Sequence, residues 1–197
     1  MVAQCSHRRP GYTAATMHRH TIQHCRGCGT AVDYRVPDDG DTRERAVCPA
    51  CGTIHYVNPL LAVGTVPYLG DRVLLCKRAI EPRYGKWTLP AGFMELGETM
   101  AQGAARETVE EAGAEVEMGA FFSSMSIPRV GQVHVFYLAR LLHDRFDPGH
   151  ESLEARLFTE HDLPWDELAF TTVRETLKCF FADRRLGQFG VHDVDIT

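Results

Sequence analysis

No stretch of the chain approaches the roughly 20 consecutive apolar residues that a membrane-spanning helix needs, and the chain carries no internal repeat or low-complexity tract. A membrane partner and a solenoid architecture are therefore not expected. A basic surplus is also lacking, since 21 Lys and Arg stand against 26 Asp and Glu for a formal charge of −5. A phosphate backbone finds no general surface from which to release counterions, so nucleic acid is not expected as a partner. Residues 1–24 hold Arg8, Arg9, Arg19 and four His but no apolar run of secretory type, which predicts no export signal and a cytoplasmic location. Residues 1–21 read as a flexible leader, with Met17 as an alternative start. With 44% hydrophobic and 24% charged residues over 197 positions, the chain is too apolar for a disordered class and long enough for one good core plus a small appendage.

The seven cysteines are an odd number, and four of them form Cys25-x2-Cys28 and Cys48-x2-Cys51, separated by 19 residues. Each such loop can aim two thiolates at one ion, and Gly29 and Gly52 follow where tight turns are needed. Between the pairs, Pro37-Asp38-Asp39-Gly40-Asp41 reads as a hairpin tip. Residues 22–57 are thus expected to be a zinc ribbon with Cys25, Cys28, Cys48 and Cys51 as ligands. The competing readings are free thiols or two disulfides, the latter unusual in a reducing compartment. His24 and His55 read as bystanders, because four thiolates complete a tetrahedron. Cys76 and Cys179 sit in apolar patterns and read as core.

After Asn58-Pro59 the pattern becomes one of short apolar runs bounded by turn residues. Strands are expected at Leu61–Leu69, Arg72–Ala79, Val116–Ser124, Gln132–Leu142 and Glu154–Phe158, and helices at Glu98–Ala112 and Thr171–Arg184, the first stopped by Gly113. In the first helix Glu107, Glu110 and Glu111 stand at i, i+3 and i+4 in the last turn. There the helix dipole disfavours each acid by about 0.3–1 kcal/mol, and like-charged neighbours add about 0.2–0.5 kcal/mol per pair. Hard divalent cations would make such a cluster sensible, since carboxylate oxygens suit magnesium or manganese. The plainer alternative is a solvated acidic face. Glu98, eight residues before Arg106, can pair with it and pin the Leu89-Pro90-Ala91-Gly92 loop to the helix.

Gly92-x5-Glu98-x7-Arg106-Glu107-x2-Glu110-Glu111-x-Gly113 resembles the Nudix box of the Nudix hydrolases at every charged and glycine position, departing only where Thr108 and Ala114 replace bulky apolar residues. The resemblance covers about residues 22–185. With the cysteine pairs, Leu74-Leu75-Cys76-Lys77-Arg78 and Glu151-Ser-Leu-Glu154, it points to the zinc-ribbon branch that includes FAD and ADP-ribose pyrophosphatases. The resemblance implies an α/β/α sandwich around a mixed sheet over residues 58–190, followed by a tail at 191–197. It implies attack of water on a diphosphate linkage, giving AMP and an X-phosphate from FAD or ADP-ribose. Glu107 and Glu111 are then expected as main magnesium or manganese ligands, with Glu110 auxiliary and the Ala91 carbonyl a further ligand. Glu98 and Arg106 are expected to form an orienting pair. Glu154 is expected as ligand or general base, with Glu151 its rival. A homodimer is the expected assembly.

NADH-cleaving relatives carry Ser-Gln-Pro-Trp-Pro-Phe-Pro after the box, where this chain has Ser124-Met125-Ser126-Ile127-Pro128-Arg129-Val130-Gly131-Gln132. Pro128, fourteen residues past Ala114, is instead similar to a proline of ADP-ribose pyrophosphatases. Phe121, Phe122 and Tyr137 are candidates for stacking on a base or flavin, although aromatics at strand spacing also suit a core. The alternatives are an NADH pyrophosphatase, or a nucleotide-sensing or RNA-binding module that uses the ribbon.

Overall fold

The computed structural model describes residues 22–197, so the expected leader and Met17 lie outside the described residues. The chain divides between Pro59 and Leu60 into two compact units. In the smaller unit, β1 (Asp33–Arg35), β2 (Arg45–Val47) and β3 (Ile54–His55) form an antiparallel sheet in that order. The expected tip between β1 and β2 is present. Asp41 accepts from the amides of Thr42 and Arg43 and pairs with the Arg45 Nε at 2.7 Å, while the Tyr56 hydroxyl donates to Asp39 at 2.9 Å.

The larger unit is built on an eight-stranded mixed sheet. Its strands are β4 (Leu60–Leu69), β5 (Arg72–Arg78), β6 (Trp87–Thr88), β7 (Ala91–Phe93), β8 (Val116–Ile127), β9 (Gln132–Leu141), β10 (Ser152–Phe158) and β11 (His192–Asp195). The main order is β10-β5-β4-β9-β8-β11, with β4–β9 and β8–β11 parallel. Helix α1 (Met100–Ala112) covers one face and α2 (Thr171–Leu186) the other. β5 shows why central strands read as unbroken apolar runs: Val73 and Leu75 pack toward α2 with Leu177 and Phe180, while Leu74 and Cys76 pack toward α1 with Ala112 and Ala114. Both faces are buried, and the sandwich expected from the resemblance is the fold observed.

β4 and β5 pair only near their shared turn, at Tyr68–Val73 and Leu69–Arg72. Pro67 has no amide to continue that ladder, and below it the two strands diverge. The gap is filled by β6 on β5, β7 on β4 and the loop between them, where the Thr65 amide donates to the Pro90 carbonyl at 3.2 Å.

The residues expected as a tail do not form one. His192–Asp195 add to β8 in parallel, His192 and the Gly190 amide both contact Asp183 of α2, and Ile196 packs on Met125 and Ile127. Helix α1 begins at Met100 rather than Glu98, because Thr99 caps it in a reciprocal capping box with Gln102. No helix among the described residues is long and apolar enough to cross a membrane.

Candidate active site

Helix α1 ends at Gly113, whose left-handed backbone (φ 58°) stops it, and its last turn contains no basic residue. α2 carries Arg184 and Arg185 in the corresponding place, as the helix dipole favours. The acids of α1 are compensated instead by Arg106, in the middle of the same helix. Arg106 donates to Glu107 at 2.7 Å, to Glu110 at 3.0 Å, to both oxygens of Glu98 at 2.9 and 3.1 Å, and to the Phe93 carbonyl at 3.3 Å. Glu98 lies outside the helix, where it also accepts from the Glu95 amide, so the expected Glu98–Arg106 pair forms across the loop–helix junction. The two departures from the box are both packed. Thr108 is fully buried, donating to the Ala104 carbonyl and accepting from Thr65, and Ala114 fills the cluster under β5.

Glu111 is 6% exposed, and its carboxylate accepts from the Ala91 amide at 3.1 Å. Burial pushes its carboxyl up to about 8; the Ala91 amide opposes this, the Glu107 charge adds to it, Arg78 pulls against it and Glu151 adds again. Glu107 is raised by the same burial, with Arg106 opposing. Glu98, bonded first to Arg106, is held below the usual carboxylate range. Gly92 runs close against this group. A Cβ there would lie 2.3 Å from the Glu107 carboxylate, so no larger residue fits without displacing that acid. An apolar or hydroxylated lining would give a conventional pocket. This one gathers the carboxylates of Glu107, Glu110 and Glu111, the first and last of them largely buried, a set of oxygens suited to a hard dication.

These residues form one end of a cavity of about 710 Å³. Ala91, Glu107, Glu110 and Glu111 line it, joined by Glu95 and by Glu151 at the start of β10. Glu154, the expected extra carboxylate, does not line it. It stands opposite Lys77, whose ammonium lies over the Trp87 ring, while Ala155 and Leu157 face α1. As the neighbour of Ala155, Glu154 takes the other face of the strand, and it is Glu151, just before β10, that lines the cavity with the acids. Phe121, Phe122 and Tyr137 are absent from the lining too. Phe122 is fully buried against Phe180, and Phe121 meets Tyr137 edge-on beside α1. Pro128 begins a short 3-10 turn, and its neighbours Ile127 and Arg129 line the cavity instead.

The rest of the lining is drawn from residues that sequence reasoning did not assign to the site. Arg78 is 8% exposed, donates through Nε to the Pro82 carbonyl at 2.9 Å and lies over the Phe170 ring. Gln132 and His134 of β9, Thr172 of α2 and Ile196 beyond β11 complete the far end.

In the smaller unit the four thiols of Cys25, Cys28, Cys48 and Cys51 lie within 4.8 Å of one another, with Sγ–Sγ separations of 3.4 Å for Cys28–Cys48 and 3.7 Å for Cys25–Cys51 and Cys28–Cys51. A tetrahedral zinc with bonds of about 2.3 Å places its sulfurs about 3.8 Å apart, so the quartet fits that ion. The Thr53 hydroxyl and amide pull the Cys51 thiol down to about 6, and those of Thr30 lower Cys28, which favours the thiolates a metal needs. His55 is buried with its Nε2 unpartnered.

Comparison with known proteins identifies both domains. Residues 58–180 match the NUDIX domain model and residues 23–57 the Nudix N-terminal zinc ribbon. A crystal structure of a NUDIX hydrolase from Nitrosomonas europaea superposes with a TM-score of 0.85 at 49% identity, covering 89% of this chain and 99% of the other. An ADP-ribose pyrophosphatase of Methanocaldococcus jannaschii is 30% identical over 58% of this chain and 69% of its own length. An NAD-capped RNA hydrolase of Stutzerimonas stutzeri is 30% identical over 83% of this chain, which spans only 57% of that relative. The chain is a Nudix hydrolase that carries the family's N-terminal zinc-ribbon domain.

Proposed function

We propose that the protein hydrolyses the diphosphate linkage of a nucleoside diphosphate derivative, with ADP-ribose the preferred substrate and FAD the next, releasing AMP. The observation that carries this reading is the convergence of Glu107, Glu110, Glu111 and Glu151 on one cavity that Arg78 also lines. Glu107 and Glu111 would hold magnesium or manganese, with Glu110 and the Ala91 carbonyl as auxiliary ligands. Such ions neutralise diphosphate oxygens and ease departure of the leaving phosphate. Arg78, anchored on Pro82 and stacked on Phe170, offers its remaining N–H groups to a phosphate oxygen. Arg106 and Glu98 position the acids and do not touch substrate. Glu151, half-exposed beside the cluster, accepts the proton of the attacking water, a role we assign to it in place of Glu154. Zinc on the four thiolates would stabilise the ribbon.

The name of the Stutzerimonas relative supports a second reading, cleavage of an NAD-type linkage, including one at the end of an RNA, which weakens the compositional expectation against nucleic acid. AMP or nucleotide release from ADP-ribose, FAD, NADH and NAD-capped RNA, with magnesium or manganese present, tests both. Fastest turnover of ADP-ribose supports the first reading, fastest turnover of NADH or capped RNA the second, and no turnover of any defeats both.

A further inference from the structure

Glu151 reaches the acids of α1 from outside the helix and the loop before it, and its side chain has little to hold it there. His150 Nε2, 3.7 Å away, is exposed, and an exposed pair of this kind fixes a position only weakly. The main chain sets the place of Glu151 instead. Residues 146–152 form a strap across the C-terminal end of α1. Phe146 packs in the apolar cluster with Ala112, Ala114 and Leu141. The Asp147 amide donates at 3.1 Å to the Ala112 carbonyl, one of those that the end of a helix leaves open. The Ser152 amide donates to the Gly149 carbonyl at 3.0 Å, closing a tight turn around His150 and Glu151. On the far side the Glu151 carbonyl accepts from the Ala79 amide, just past β5, at 2.7 Å.

Two glycines let the strap lie main chain against main chain on the helix. A Cβ on Gly149 would stand 1.9 Å from the Glu110 carbonyl oxygen, and one on Gly113 would stand 2.2 Å from the Asp147 carbonyl oxygen, both far inside contact distance. The backbone of Gly149 is not left-handed, unlike that of Gly113, so its lack of a side chain serves the close approach alone. The carbonyl it meets belongs to Glu110, which places the strap against the very turn that carries the acids. We infer that Gly149 is a positioning residue for the reaction: by seating the strap on the last turn of α1 it sets Glu151 beside Glu107 and Glu111. Proton acceptor and acids are then parts of one assembly, in place before a substrate arrives. The inference rests on the reading of Glu151 as proton acceptor. Where strap and helix compete for space the strap yields, because Ala112 and Ala114 on the helix side are 0% and 1% exposed while Asp147 is exposed. A side chain at position 149 therefore moves Glu151 and leaves the acids where they are.

The test is a double-mutant cycle on the full-length protein, with AMP release from ADP-ribose measured in magnesium. Glu151→Gln should lower kcat by about a hundredfold or more, as loss of a proton acceptor does. Gly149→Ala should lower kcat by about tenfold to a hundredfold, the effect of moving a reacting group by about 1 Å, and change KM by less than about threefold. The two together should give a kcat within about threefold of Glu151→Gln alone, since a strap that acts through Glu151 then has nothing left to position. Magnesium affinity, by calorimetry, should be the same in Gly149→Ala as in the wild type. Insertion of one glycine between Gly149 and His150 lengthens the turn without a collision and should reproduce the loss of kcat, which decides the matter if melting curves show Gly149→Ala to be poorly folded. Losses that multiply in the double variant, or a magnesium affinity that falls along with kcat, overturn the inference. A wild-type rate in Glu151→Gln defeats the reading of Glu151 as proton acceptor, and the inference with it. Failure of the pyrophosphatase reading shows differently, as no turnover of any diphosphate by the wild type.

Discussion

Replacing Glu111 by Gln should stabilise the protein in the absence of magnesium and manganese, and by an amount that depends on pH. Burial raises the Glu111 carboxyl to about 8 from an ordinary value of 4.5. The folded state therefore holds a proton that the unfolded state releases between those values, and stability declines as pH rises through that window. At about 1.36 kcal/mol per unit, holding that proton costs the fold on the order of 3 kcal/mol at pH 7 and under about 1 kcal/mol at pH 5. Gln keeps the acceptor for the Ala91 amide without the charge. For a chain of this size each kcal/mol corresponds to roughly 2–4 °C, so the variant should melt about 6–12 °C higher at pH 7 and almost level with the wild type at pH 5. Scanning calorimetry with zinc retained and other divalent ions removed measures this directly. Millimolar magnesium should raise the wild-type melting temperature at the higher pH and raise that of the variant less, because the variant lacks one of the two main carboxylates while Glu107 remains. A stability difference that is the same at both pH values, or a variant less stable at pH 7, would refute the claim that this acid is held against its own preference.

Glu98→Gln removes the charged acceptor of a two-point contact with Arg106 and should lower the midpoint of urea unfolding, with turnover falling in the same preparation. Gly92→Ala should abolish most activity with a smaller loss of stability, since the added methyl collides with Glu107 rather than with core side chains; parallel melting and AMP-release assays separate the two effects. Titrating the thiols with a mercurial should release about one zinc per chain, and Cys28→Ser should lower that yield and the melting temperature of the ribbon, read by circular dichroism. Sedimentation equilibrium on the same samples measures the expected dimer.

Much of the site was legible because it is local. The acids of α1, the Gly113 stop and the two cysteine pairs each lie within one turn or one loop, where spacing in sequence is spacing in space. The start of α1 had a visible signal as well, the Thr99-x-x-Gln102 box, which outranks Glu98 as a helix start. Glu151 and Glu154 could not be separated, because which face of β10 meets α1 is set by its pairing with β5 and not by its own sequence. The part of the cavity lined by Gln132, His134, Thr172 and Ile196 has no local signature. These residues come from β9, α2 and the segment after β11, which only the assembled sheet and α2 bring together, and His192–Asp195 carries too little apolar character to read as a strand.

The divergence of β4 and β5 below Pro67 has a consequence for catalysis. Its filler segment is laced to a strand on either side, through Cys76–Thr88 and Lys77–Trp87 on one flank and Ala62–Phe93 through Gly64–Ala91 on the other. The floor beneath the acids thus has the stiffness of pleated sheet, although its course is that of a connecting loop. Little entropy remains there to be surrendered when a ligand arrives, and amide exchange at Ala91 should be as slow as in the strands that grip it.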